Sequence, residues 1–174
     1  MVDGQSEMKG LFTAAESRSD RWTELLKQSD DLVAVVLRGH LVFEEILFRV
    51  VQSHCTVPEH LAGARLRFLQ LLALTRALEK LPAIPPATWQ ALERLNSVRN
   101  ALAHNLPTAS LAERVSSFVE ASLGSERTSG LTTPPSSKES VSNALHFLLG
   151  QLQVLDVFTE AVEHLIGKEL SRPE

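Results

Sequence analysis

An arginine, an asparagine and a histidine stand close together in the run Leu95-Asn96-Ser97-Val98-Arg99-Asn100-Ala101-Leu102-Ala103-His104-Asn105. An imidazole titrates near neutrality and can move a proton, a guanidinium fork matches phosphate oxygens, and an amide can orient the ring. One chemistry such a set can serve is cleavage of RNA through its own 2′-hydroxyl. It requires proton transfer and stabilisation of negative charge on a phosphorane-like transition state, with no metal in the scheme. The geometry adds a condition. On one helix Arg99 and His104 lie about 140° apart, so they do not face one phosphate together. Either the helix loosens before Pro107, or two chains pool these residues. Asn100 and His104, four apart, share a face, and Asn100 is placed to orient the imidazole. Arg99 falls in the middle of the apolar arc Leu92, Leu95, Val98, Leu102 and Leu106, where a charge is costly without a partner or an interface. One alternative needs no ligand: Arg99 pairs with Glu44 inside the bundle, and His104 complements the dipole at its helix end.

His40 and Glu44 form a second constellation. They are one turn apart and share a face with Val33, Leu37, Leu47 and Val51. A polar pair on an apolar face must hydrogen-bond, since leaving it unpaired costs about 1–3 kcal/mol. It is either a satisfied structural pair or the backing of a site. Arg38, Glu45 and Arg49 fall together on the opposite side and make the expected solvent stripe. His54, Cys55 and His60 cluster in sequence without completing a metal-ligand spacing, and His146 and His164 have no matching acidic or thiol partners. No metal site and no cofactor is expected.

The elements that must hold these residues are helical. Apolar positions recur every three or four residues almost throughout, with no run of strict alternation. The pattern predicts helices over about 14–27, 31–53, 58–79 and 87–106, a shorter piece over 108–122, and a long last helix over 139–166. Ser29-Asp30-Asp31 offers an N-cap for the second of these, and Leu81-Pro82 with Pro85-Pro86 are breakers. The segment 124–138, rich in Ser, Thr, Gly and Pro, reads as a flexible loop, and about 1–12 as a flexible N-terminus. The expectation is one all-α domain over 1–174, an antiparallel bundle of five to six helices.

Bulk properties limit the classes. A chain of 174 residues with 44% apolar residues is long enough for a core without staples. Its one cysteine cannot close an internal disulfide. No signal-peptide pattern opens the chain, and charges at Arg38, Glu44, Glu45 and Arg49 break the longest apolar candidate for a membrane span. A soluble cytoplasmic protein that does not enter membranes is expected. The net charge of −4 argues against broad nucleic-acid binding while leaving room for a local basic cleft.

Three blocks in order, Arg38-Gly39-His40-Leu41-Val42-Phe43-Glu44-Glu45, Arg65-Leu66-Arg67-Phe68-Leu69 and Arg99 to His104, resemble the HEPN superfamily, whose signature is Arg followed by His after four to six residues. The resemblance covers about 31–106. It implies a HEPN-like bundle and a metal-independent endoribonuclease, a toxin or defence component, with a composite cleft at a homodimer interface. Arg99, Asn100 and His104 would be catalytic; His40, Glu44 and Arg65 would support or bind. RNA is the implied substrate and an antitoxin an implied partner. Some toxins of the family carry a Tyr two residues after the His; here Leu106 stands there, and the chain has no Tyr. The layout is also similar to the mannitol repressor family, which implies a non-catalytic regulatory or interaction protein with a protein partner.

Overall fold

The computed structural model describes residues 4–27, 31–61, 63–78, 84–104 and 108–170. Among them the chain forms an all-α bundle without strands. Its helices are α1 (Gly4–Lys27), α2 (Leu32–Ser53), α3 (Phe68–Leu78), α4 (Pro86–Ala103), α5 (Thr108–Leu123), the short α6 (Ser125–Ser129) and α7 (Lys138–Leu170). No helix of the described residues is long and apolar enough to cross a membrane.

Helix α2 is the centre, packing on α1, α3, α4 and α7. It begins where expected because Asp31, in extended backbone, accepts the Ala34 amide at 2.9 Å, which satisfies one of the free donors of the first turn. Val36, Phe43, Ile46 and Leu47 are fully buried along it, facing Leu92 and Leu95 of α4 and Leu145 and Leu148 of α7 within one core. Gly39 marks the closest approach: a Cβ there would lie 2.6 Å from Leu145 Cδ2. Helix α4 starts at Pro86, whose fixed φ suits a first helical position.

Several expectations need correction. Helix α1 begins at Gly4, so the stretch to residue 12 is helical rather than irregular. The helix expected over 58–79 is split into a 3-10 turn, Pro58–Leu61, and α3 from Phe68. Between them Arg65 takes φ +45°, a left-handed conformation that ends any helix. The Gln70 side chain then accepts the Arg67 amide at 2.9 Å, restarting the chain as a helix in the manner of a capping box. The 124–138 segment is a tied connection. It holds α6, and Ser140 Oγ donates to the Pro134 carbonyl while Ser137 Oγ accepts the Ser140 amide. Arg38, Glu45 and Arg49 are half-buried rather than a solvent stripe. Helices α1 and α7 cross that side. Arg21 pairs with Glu45, and Asp156, 3% exposed, accepts from Arg18 (2.8 and 3.0 Å) and from Arg49 (3.0 Å).

Candidate functional site

Helix α4 carries a buried line through Thr88, Leu92 and Leu95. Arg99 continues that line by one turn, as the sequence requires, yet its side chain is exposed. At the last turn of α4 the line meets a cleft of about 610 Å³. His40 and Glu44 of α2, Arg67 and Phe68 at the start of α3, and Asn96, Arg99 and Asn100 of α4 line it. Arg99 is not buried against Glu44. Its Nη1 donates to Asn100 Oδ1 at 3.2 Å, so a neutral partner aims the guanidinium and leaves its charge uncancelled.

His40 is the buried polar group of the cleft, 6% exposed. Its ring stacks on Phe68 with centroids 4.2 Å apart. Nε2 donates to the Asn96 side-chain oxygen at 3.2 Å, and Nδ1 stands 3.7 Å from Glu44 Oε2. Both nitrogens therefore face acceptors, the arrangement an imidazolium needs. Burial opposes it and holds the pKa below the ordinary 6.5; the Asn96 bond and the Glu44 charge push back upward, and the Arg99 charge adds to the lowering. The sequence placed His40 and Glu44 together correctly. It missed their partner Asn96, although Asn96 lies three residues before Arg99 and so shares its face.

His104 lies outside the lining of this cleft. It is the exposed C-cap of α4, with its amide donating to the Asn100 carbonyl at 3.1 Å. The helix keeps its form up to Ala103, so within one protomer Arg99 and His104 diverge as the wheel requires. The expected contact of Asn100 with the His104 imidazole is replaced by the bond to Arg99. Leu106 and Pro107 lie outside the described residues. Arg65 lines a separate hollow of about 320 Å³ with Phe48, Leu61 and Leu66, which meets the cleft only through Glu44.

His54, Cys55 and His146 bond carbonyls one turn back in the chain. His54 Nδ1 bonds the Val50 carbonyl, Cys55 Sγ that of Val51, and His146 Nδ1 that of Ser142. The His164 side chain lies outside the described ones. Among the described residues no group of three His, Cys, Asp or Glu has metal-holding geometry. No family model, curated protein or solved structure matches the chain.

Proposed function

We propose that the chain is a metal-independent endoribonuclease of the HEPN kind, working as a homodimer in a cytoplasmic toxin or defence role. One observation carries the reading. Arg99 sits on the buried line of its helix but emerges, without a carboxylate partner among the described residues, into an open cleft shared with His40, Glu44 and Asn96. A guanidinium kept exposed there is suited to the charge that develops on a reacting phosphate. His40, with Glu44 at its other nitrogen, backs the cleft and holds Asn96 in place. Proton transfer falls to His104, brought to the Arg99 cleft of a second copy. The exposed apolar line Val33, Leu37 and Leu41 on α2, one turn from Glu44, supports such a pairing.

A second reading, a non-catalytic regulatory module of the mannitol repressor type, is favoured by the place of His104 outside the cleft. Purified protein incubated with RNA in EDTA separates them. The nuclease reading expects products ending in 2′,3′-cyclic phosphate, and activity lost in His104→Ala and Arg99→Ala. Cleavage that survives His104→Ala sinks it; no cleavage together with a defined protein partner selects the regulatory module.

A further inference from the structure

The hollow at Arg99 has a neighbour. Beyond Leu69, Asn96 and Asn100, which line both, a second hollow of about 580 Å³ lies between α3, α4 and α5. Arg114 of α5 forms part of its wall, with Nη1 donating to Ser97 Oγ at 2.5 Å. Arg76 is there too, but is paired with Glu93 at 3.3 Å. Together the two hollows form a trough that follows α4 from Glu93 to Asn100, about 10 Å of helix. Three arginines, Arg67, Arg99 and Arg114, face it with no carboxylate partner among the described residues. Arg99 and Arg114 are each steered by a neutral oxygen, which fixes direction without cancelling charge. Of the acids on the trough, Glu93 is already paired with Arg76, and Glu44 stands beside His40. In a chain of net charge −4 this is a local excess of positive charge, and it calls for an anion.

We propose that the trough is a subsite for single-stranded RNA, holding the stretch of strand beside the reacting phosphate. Phosphates run from Arg99 past Asn96 and Asn100 to Arg114, and Leu69, 49% exposed, offers an apolar surface to a base. The bases of a single strand, unlike those of a duplex, are free to lie on such an apolar surface. The proposal rests on the endoribonuclease reading for the identity of the strand. It adds residues from α3 and α5 that the Arg99–His104 run does not contain.

The test is fluorescence anisotropy of the full chain with a labelled 2′-O-methyl oligouridine of about 12 nucleotides, which cannot be cut. Arg114→Gln is expected to weaken binding several-fold at low salt and to flatten the slope of log affinity against log salt by about 0.7. Arg114→Lys should restore most of both. Arg94→Gln, which removes a guanidinium that donates to Ser117 outside the trough, should bind as wild type. Unchanged binding by Arg114→Gln, equal loss in Arg94→Gln, or no binding by the unmodified chain each overturns the proposal. A strand held through Arg114 but never cleaved in its 2′-hydroxyl form removes the nuclease reading and leaves the subsite. Cleavage indifferent to Arg114→Gln does the reverse.

Discussion

At His40 two acceptors and one burial pull in opposite directions. Asn96 on one side and Glu44 on the other favour the protonated ring, while desolvation and the charge of Arg99 hold the pKa below 6.5; Arg67 is the other cation on the cleft. As pH falls through about 6.5 the unfolded chain takes up a proton before the folded one does. Stability is therefore full above that value and declines as pH falls towards the folded pKa. His40→Gln keeps a donor for Asn96 and removes the titration. Its melting temperature, followed by circular dichroism from about pH 7.5 to 5, should fall less than that of the wild type. Parallel curves would show that His40 is not the group responsible. The pair His40 and Glu44 was legible because a helical wheel needs only residue spacing. Asn96, Phe68 and the fate of Arg99 were not, since they depend on where neighbouring helices stop.

Elements were legible where a local signal was strong and local. The Ser29-Asp30-Asp31 run announces the start of α2, where Asp31 makes the capping bond; Pro85-Pro86 reads as a breaker, and Pro86 is itself the first residue of α4. The stretch 58–79 misled because Leu61 and Leu66 pack against the core although neither lies in an α-helix. Nothing local announces the left-handed Arg65. The crossing of α2 and α7 yields a direct test. An alanine in place of a mid-helix glycine gains about 1 kcal/mol in propensity. At Gly39 any side chain instead meets Leu145, which is itself fully buried. Gly39→Val should destabilise the fold by about 2 kcal/mol, read as a lower urea midpoint. An unchanged midpoint would mean that Leu145 swings aside without loss.

For the molecule as a whole, Arg99 and His104 lie on diverging sides of one helix, so the proposed nuclease requires two copies to bring them together. Chains carrying Arg99→Ala and chains carrying His104→Ala should each be inactive alone. Co-expressed, they should regain a fraction of wild-type RNA cleavage, because mixed dimers rebuild one cleft. A mixture that stays inactive would reject pooling across protomers. No sequence signal announced the basic trough, since its arginines come from three separate segments and the average charge conceals them. The ion triad at Asp156 has a consequence in time. Arg18 and Asp156 are 138 residues apart. At 5–20 residues per second, synthesis leaves roughly 7–28 s between them. During that interval Trp22 and Leu26 lack the α7 side of their packing. Helix α1 of a nascent chain thus completes its docking late, when an aspartate near the other end of the fold arrives to receive Arg18.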